Sequence, residues 1–369
     1  MSGSSALRIV LKEQVDPCGE GMTMAEATGF AMMDPAPVTL DRASVEAALA
    51  VAVRAPSIHN TQPWRWRLEE GRLSLLADRS RQLEVADPDA HSLLVSCGAA
   101  AHLTELGLRA AGYDVQVQVL PEPADRDLLA RFTAIDRVPP TDVIGAQVDA
   151  ALRRRSDRRP FQMRELPEEL IERLRAASSE PDAWVDFPLQ PDQRIDLAVA
   201  VSWADRVERD DAEYIAEMNR WIRDPEVHAL APDGVPLDAV PHVPDDQPRH
   251  TDVPLRDFEL GLSGRQIIER DVDERPVIAV TFTHFDGPLD HLRAGQAMMR
   301  LMVEAEMVGL ATCPLSQAVD FAAFRTRVQG LMGWIGFPQI MLRVGYPGGP
   351  AGELVHTPRR EPAAVLDIA

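Results

Sequence analysis

Apolar and polar positions in the first third of the chain predict one helix followed by two strands. Asp41 is a candidate N-cap, and apolar residues at helical spacing follow it until Pro56 ends the helix. Trp64, Trp66 and Leu68 then alternate with arginines, as the residues of a half-buried strand do. The same patterns predict a turn at 70–71, a strand at 73–77, a helix at 96–112 and an alternating strand at 115–119.

The remainder of the chain also mixes helices and strands, so we predict an α+β fold. Its patterns predict helices at 143–155, 166–177 and 294–309, one or two helices within 195–222, and strands at 276–283 and 339–345. There is a faint internal repeat, because Gly98 to Gly112 and Gly295 to Gly309 span equal distances in alanine-rich helices that lead into strands. Since glycine ends many helices, this similarity alone is weak.

Two stretches lack such patterns. Residues 1–37 carry scattered Gly, Ser, Pro and Met, and we predict a flexible tail there. Seven prolines between 224 and 257 forbid regular helix and most strand pairing, so we predict a lid over a site or a disordered linker. We divide the rest of the chain into a first half at 38–140 and a second half at 141–369, which contains the proline-rich insertion.

Composition and charge restrict the class of protein. At 369 residues the chain exceeds the usual size of one compact core, and its 45% of apolar residues can fill a sizeable one. A formal net charge of -20 would be repelled by nucleic acid or an anionic membrane, so we predict neither partner. Three widely spaced cysteines and the lack of a zinc pattern indicate no disulfide framework and no metal. Without a signal pattern or an apolar run of about 18–20 residues, we expect a cytoplasmic protein.

Three segments carry residues suited to ligand binding. The first, at 55–64, reads APSIHNTQPW and places Ser57, Asn60 and Gln62 between two prolines that stiffen the loop. Side chains that donate and accept in fixed directions form the rigid polar rim that a planar heterocycle needs. The alternative is an ordinary turn between a helix and a strand, which uses the same residue types.

The second segment, at 153–161, reads RRRSDRRPF and crowds five arginines into seven residues. Like charges so close together destabilise a fold unless an anion neutralises them. A phosphate dianion does so well, because guanidinium groups bind its oxygens bidentately and Ser156 can add a hydroxyl donor. The alternative is a solvated cationic surface that Asp149, Asp157 and Glu165 offset.

The third segment combines a glycine-rich exit from the strand at 339–345 with a basic stretch, HTPRREP, at 356–362. Glycine lets the backbone approach a ligand closely, and Arg359 and Arg360 can add contacts to phosphate. Taken alone, this segment is better explained as a basic C-terminal loop.

Together these segments resemble the motifs of the nitroreductase family of flavoproteins. APSIHNTQPW resembles that family's PSxxNxQPW loop, RRSDRRPF resembles its RRSxRxF element, and the region 295–316 and GYP followed by PRRxP resemble its later elements. In the ordinary family the RRS element comes first, and each homodimer site takes it from one subunit and the QPW loop from the other. Here the order is reversed, which resembles the Acg-type branch, in which two nitroreductase-like halves are fused. The resemblance covers roughly residues 38–365.

The resemblance implies a three-layer α/β/α fold that binds FMN, with NADH or NADPH as electron donor. It implies that the FMN phosphate and ribityl chain are held by Arg154, Arg155, Ser156 and Arg158, with Arg359 and Arg360 returning to the phosphate. It implies that the flavin ring is bordered by Pro56, Ser57, Asn60 and Gln62, and that its reactive edge lies against Pro314, Leu315 and Ser316.

The two halves are unequal. No RRS element precedes the first helix, where LDRAS stands at 40–44, and no Asn-x-Gln occurs at 177–184, where a second QPW loop is expected. A symmetric dimer has two sites, whereas this chain keeps the parts of one. We therefore predict one flavin per chain and a monomer whose halves form an intramolecular pseudo-dimer.

The resemblance also implies that NAD(P)H reduces the flavin, which passes electrons to a small acceptor such as a nitroaromatic compound or a quinone. No catalytic residue is identifiable, because His59 is best explained as a hydrogen-bonding loop residue and Cys313 as packing. An alternative is a protein that binds or sequesters FMN under its lid with little turnover. A third interpretation is an α/β protein that binds another ligand or a partner, and no flavin.

Overall fold

The computed structural model describes residues 38–223, 231–239, 274–349, 354 and 357–369. The predicted tail at 1–37 and most of the predicted lid, at 224–230 and 240–257, lie outside the described residues. Val38–Ala369 form one compact unit of mixed helices and strands, which confirms the predicted α+β fold. Among its described helices, none combines the length and the apolar composition needed to cross a bilayer.

The elements are numbered in chain order over the described residues. The helices are α1 (Arg42–Ala52), α2 (His91–Ala110), α3 (Asp142–Arg153), α4 (Glu168–Ser178), α5 (Pro191–Asp210), α6 (Ala212–Asn219), α7 (Pro288–Met307), α8 (Gln317–Asp320), α9 (Ala322–Leu331) and α10 (Pro362–Val365). The strands are β1 (Trp64–Glu69), β2 (Arg72–Ala77), β3 (Tyr113–Val119), β4 (Leu128–Arg137), β5 (Ala183–Asp186), β6 (Ile222–Arg223), β7 (Val235–Pro236), β8 (Val277–Thr283), β9 (Ala311–Leu315), β10 (Phe337–Gly345) and β11 (Leu366–Ile368).

Two sheets form the scaffold, and their strand orders correspond. The first runs β11-β1-β2-β4-β3 and the second runs β5-β8-β10-β9. In each sheet, the strand that follows a 20-residue helix lies at one edge: β3 after α2, and β9 after α7. The extra strand of the first sheet, β11, comes from the end of the chain and pairs in parallel with β1, with Trp66 opposite Leu366.

The patterns that predicted the first elements are visible in the structure. The Asp41 carboxylate accepts from the Ser44 N–H at 2.8 Å and caps α1. Trp64 and Trp66 of β1 are fully buried, and the arginines between them and after them are exposed. Trp66 Nε1 donates to Thr104 Oγ1 of α2 at 3.1 Å, so the first sheet is tied to the central helix beneath it.

The central helices α2 and α7 cross at two glycines. A Cβ atom on Gly98 would lie 2.0 Å from the carbonyl oxygen of Leu292, and one on Gly295 would lie 2.0 Å from that of Val95. The two contacts are reciprocal, because positions 98 and 295 are as far apart in the chain as positions 95 and 292. Reciprocal contacts of this kind arise where two copies pack about a two-fold axis.

Helix α2 begins earlier than the sequence predicted. Its first residue is His91, five residues before the expected start at 96. The Asp87 carboxylate accepts from the backbone N–H groups of Ser92 and Leu93 at 2.9 and 2.8 Å, and so caps the helix from the preceding turn. Burial raises the pKa of this carboxyl group to about 7.

Helix α3 ends earlier than predicted, at Arg153 and not at Arg155. Arg154 leaves the helical region, with φ −50° and ψ 137°. The residues after it run beside β9, where Ser156 forms a β-bridge with Thr312 and the Asp157 N–H donates to the Thr312 carbonyl at 2.9 Å. The arginine-rich segment is therefore extended and anchored to the second sheet through β9, the strand into which the helix ending at Gly309 was expected to lead. Strands β4 and β5 were absent from the predicted elements.

Candidate functional site

The loop between α1 and β1 has a strained backbone. His59, Asn60 and Gln62 adopt positive φ angles of 45°, 56° and 51°, a region that residues other than glycine rarely occupy. Such strain persists only where surrounding contacts hold it, and it is concentrated at ligand sites. One of these contacts lies within the loop, since the Gln62 N–H donates to Ser57 Oγ at 2.9 Å.

The Asn60 side chain joins this loop to two distant segments. Its Nδ2 donates to the carbonyl oxygens of Gly234 and Pro358 at 2.9 and 3.0 Å. Its Oδ1 is buried and has no hydrogen-bond partner in the described part of the chain. Gly234 belongs to the described portion of the predicted lid, so this portion lies directly against the loop.

The Gln62 side chain is fully buried and fastens the loop to its neighbours. Its Nε2 donates to the Pro232 carbonyl, and its Oε1 accepts from the Arg360 N–H, both at 2.8 Å. The Arg360 guanidinium lies 3.6 Å from the Asp78 carboxylate and 3.4 Å from the Trp64 carbonyl oxygen. The family resemblance implied that Gln62 contacts the flavin ring and that Arg360 contacts the FMN phosphate. The structure places both beside the cavities described below, where they connect the C-terminal segment to the loop.

A cavity with about 450 Å³ of empty space lies between the loop and a group of five arginines. We call this group the arginine cluster, and its members are Arg54, Arg154, Arg155, Arg158 and Arg359. The other residues that line this cavity are Pro56, Ser57, Asn60, Ser156, Val235 and Thr357. The structure therefore brings the 55–64 segment, the 153–161 segment and the C-terminal segment together around one space.

Burial makes the arginine cluster electrostatically costly. The pKa of Arg154 is lowered to about 9, first by burial and then by the charges of Arg54 and Arg155. The pKa of Arg359 is lowered well below its ordinary value by burial, and then by Arg154 and Arg54. Nε and Nη1 of Arg154 and Nε of Arg359 are buried without a hydrogen-bond partner among the described residues. Because buried cations destabilise a fold unless they are paired, the cavity suits an anion with several oxygens.

Arg54 is a member of the cluster that the sequence did not single out. It lies in the turn after α1, and its carbonyl oxygen accepts from Arg154 Nη2 at 2.8 Å. Burial lowers its own pKa, and its charge contributes to lowering the pKa of Arg155. A single arginine after a helix has no recognisable pattern, so only the fold reveals its place beside the other four.

A second cavity, with about 740 Å³ of empty space partly open to solvent, adjoins the first. The two share Pro56, Ser57, Ser156 and Arg158 as lining residues. The larger cavity is also lined by the three residues expected against the flavin ring, Pro314, Leu315 and Ser316, together with Ile58, His59, Ser92, Val95, Ser96, Met298, Cys313, Gln317 and Ile340. Apolar walls with a few polar groups are typical of sites for planar organic ligands.

Two serine hydroxyls in the wall of the larger cavity hydrogen-bond to neighbouring segments of the protein. Ser96 Oγ donates to the Ser92 carbonyl at 2.7 Å and accepts from the Ile58 N–H at 3.1 Å, which fixes the loop on α2. Ser92 Oγ donates to Asp320 Oδ1 at 3.0 Å. Burial raises the pKa of the Cys313 thiol, so this thiol stays protonated in the wall. These serine and cysteine side chains therefore do not provide an identifiable general acid among the described residues.

No family model matches this chain. The chain is 34% identical over 330 residues to "Putative NAD(P)H nitroreductase Rv3131" of Mycobacterium tuberculosis. The aligned region covers 89% of this chain and 92% of that protein. The chain is 31% identical over 335 residues to "Putative NAD(P)H nitroreductase acg" of the same species, over 88% of this chain and 94% of that protein. Among solved structures, the FMN and NADPH-dependent nitroreductase NfnB of sphigopyxis sp. strain HMH aligns with a TM-score of 0.36 and 16% identity, over 60% of this chain and 97% of that one.

The two mycobacterial relatives share more than 30% of their residues with this chain over nearly their whole length. The chain therefore belongs to the nitroreductase family. Since Acg itself is one of these relatives, the comparison confirms the branch that the order of the motifs indicated.

Proposed function

We propose that this chain is an FMN-dependent oxidoreductase of the nitroreductase type, which passes electrons from NAD(P)H to a small acceptor. The observation that carries the proposal is the arginine cluster, which surrounds a cavity that adjoins a larger, partly apolar one. Three buried guanidinium nitrogens of this cluster, two on Arg154 and one on Arg359, lack hydrogen-bond partners among the described residues. The FMN phosphate suits the first cavity because it supplies the missing negative charge and hydrogen-bond acceptors. The planar ring suits the second.

Each part of the site has a role in holding the cofactor. The arginine cluster and Ser156 would hold the phosphate. Asn60 lines the same cavity, and its unpartnered Oδ1 can accept from a ribityl hydroxyl. Pro56 and Ser57 lie where the two cavities meet, and the segment 314–316 supplies a wall for the ring.

Bound FMN supplies the hydride and electron transfer that amino-acid side chains cannot perform, and the chain's own residues bind, orient and shield it. The strained loop is suited to orientation, because contacts from three directions fix it: Ser96 of α2, the carbonyl oxygens at 232 and 234, and the C-terminal segment at 358–360. A rim held in this way keeps its shape when the ligand enters, which lowers the entropic cost of binding. The acceptor class that fits a partly apolar cavity includes nitroaromatic compounds and quinones.

We further propose one FMN per chain, bound in a monomer whose halves act as the two subunits of a dimer. The reciprocal glycine contacts of α2 with α7 and the corresponding strand orders of the two sheets support this proposal. The arginine cluster also draws on both halves, since Arg54 precedes the boundary at 140 and its other members follow it. Sedimentation of the flavin-loaded protein should give a mass near 40.7 kDa with one flavin per chain. A dimer with one flavin for two chains would contradict it.

A second candidate is a protein that binds FMN under a cover and turns over slowly. One observation favours it: the described portion of the predicted lid is held against the loop. Asp233 in this portion forms ion pairs with Arg81 and with Arg223. The carbonyl oxygens at 232 and 234 accept hydrogen bonds from the side-chain amides of Gln62 and Asn60. A segment tied down at so many points either gates the site or restricts access to it.

Spectroscopy and rapid kinetics distinguish these candidates. Purified protein with added FMN should show bound-flavin absorption bands, and a protein that leaves the FMN spectrum and fluorescence unchanged would contradict both. In anaerobic stopped-flow experiments, bleaching of the flavin band by NADH or NADPH, followed by reoxidation with a quinone or nitroaromatic compound, supports the oxidoreductase. A flavin that stays oxidised at millimolar nicotinamide supports the sequestering protein instead.

A further inference from the structure

We propose that Gln317 determines specificity in the larger cavity, by donating a hydrogen bond from its side-chain amide to an oxygen on a conjugated ring. This inference rests on the proposed function, because it concerns the same cavity. The oxygen belongs to a carbonyl of the flavin or to a quinone or nitro group of the acceptor. Both sources share one chemistry, an oxygen acceptor on a planar ring.

The turn after β9 places Gln317 in the wall of the cavity. It is the first residue of α8, it is 1% exposed, and it lines the larger cavity directly after Ser316. The N–H groups of Val319 and Asp320 donate to the Ser316 carbonyl at 2.7 and 2.9 Å and fix this turn. The backbone at Gln317 is therefore set by local hydrogen bonds, and its side chain is not needed to close the turn.

The amide nitrogen of Gln317 is the feature that points to a ligand. Nε2 is buried and has no hydrogen-bond partner among the described residues. Native proteins contain few such atoms, because a buried donor that has lost water and gained no partner destabilises the fold. Three serine side chains of the same wall do have partners: Ser57 Oγ accepts from a backbone N–H, and the Ser92 and Ser96 hydroxyls donate within the protein.

The surroundings of Gln317 restrict the class of ligand. Val95, Met298, Leu315 and Ile340 give the cavity apolar walls, which favour the faces and edges of a conjugated ring. An unpaired N–H donor in such a wall donates to a ring oxygen and disfavours a ring that presents an N–H or ammonium group at the same point. Sites built to bond one polar atom discriminate strongly against analogues that lack it.

Three variants test the proposal with the full-length protein. Gln317→Leu removes the donor at similar size, and Gln317→Glu places an anionic acceptor where the donor stood. Gln116→Leu is the matched control, because Gln116 is exposed on the edge strand β3. The measurements are the visible spectrum of the bound flavin, Kd for FMN and for riboflavin, KM for a benzoquinone acceptor, and Tm of the flavin-free protein.

The two sources of the oxygen give different results. If the flavin provides it, Q317L shifts the absorption bands and weakens FMN and riboflavin binding equally, by about 3- to 10-fold, since the phosphate end is untouched. If the acceptor provides it, the bands and the flavin affinities stay at wild-type values while KM for the quinone rises by about the same factor. In both cases Q317E has the larger effect, because its carboxylate repels the oxygen.

Stability of the flavin-free protein separates a ligand contact from a structural one. Removing an unpaired buried donor should leave Tm of flavin-free Q317L unchanged or higher. A clear fall in Tm, with Q116L unchanged, identifies a structural role and overturns the proposal. So does a Q317L protein with wild-type bands, affinities and KM. If the wild-type chain binds no FMN, the proposed function and this inference are both overturned. If the wild-type chain binds FMN and Q317L gives the same bands, affinities and KM, only this inference is overturned.

Discussion

Replacing Arg54 by glutamine should weaken FMN binding and leave riboflavin binding unchanged. Arg54 lines the cationic cavity at its α1 side, and its charge lowers the pKa of Arg154 and Arg359, so its guanidinium lies close to theirs. A charge-assisted hydrogen bond contributes roughly 1.5–3 kcal/mol. Because Arg54 is partly exposed, solvent screening favours the lower end of that range. We therefore expect Kd for FMN to rise about 10-fold, which corresponds to about 1.4 kcal/mol.

Riboflavin makes this prediction specific, because it has the same ring and ribityl chain without the phosphate. Fluorescence titrations of both ligands give the ratio of their affinities for each variant. In R54Q this ratio should fall about 10-fold, and its dependence on salt concentration should weaken, since one cation fewer faces the phosphate. Arg42→Gln is the control, because Arg42 begins α1, the helix that precedes Arg54, and pairs with Glu46 at the surface. A wild-type ratio in R54Q would show that Arg54 does not contact the phosphate, and the assignment would fail.

Three further predictions concern the scaffold. Gly98→Ala should destabilise the fold by about 1–3 kcal/mol, because a Cβ there meets the Leu292 carbonyl, whereas Gly145→Ala on the open side of α3 should stabilise it by about 0.5–1 kcal/mol. Urea denaturation measures both, and equal effects would refute the close helix crossing. Asp87→Asn should gain stability over wild type as pH rises from about 4 to about 7, because the folded carboxyl, with its pKa raised to about 7, stays protonated where the unfolded one ionises. A Tm difference that does not vary with pH would contradict this. Gln62→Leu should speed hydrogen exchange at 357–360, since it removes the hydrogen bond from the Arg360 N–H to Gln62 Oε1, and unchanged exchange there would show that other contacts hold the segment.

Local signals in the sequence were sufficient where a residue's role depended on its near neighbours. Asp41 caps α1 and the tryptophans of β1 are buried, as a cap and a two-residue period predict. The helix ending at Gly309 predicted that a strand follows, but the bounds of β9 had no local signal, because a proline interrupts this strand and its partners come from β10 and from the bridge at Ser156. The early start of α2 was also hidden, since its cap is Asp87, four residues before the first helical residue.

In the candidate site, too, the sequence did not reveal roles that depend on contacts between distant residues. The motifs led to the loop, the arginine-rich segment and the turn at 314–316, and these line two adjoining cavities. The motifs did not distinguish side chains that line a cavity from those that support it. Gln62 and Arg360 bind each other beside the cavities, and Arg54 joins the cluster from a position without any motif. Such roles depend on contacts across hundreds of positions, which one sequence does not display. The division at 140 and the predicted lid stay predictions.

Strand β11 has a consequence for the order in which the molecule is completed. It pairs with β1 across three hundred positions of the chain, and the residues just before it bring Arg359 to the cavity. A ribosome must therefore translate past 366 before the first sheet gains this edge and the last of the five cations arrives. Nascent chains that stop short of Arg359 carry an incomplete arginine cluster, so we expect insertion of the cofactor to be a late event in biogenesis.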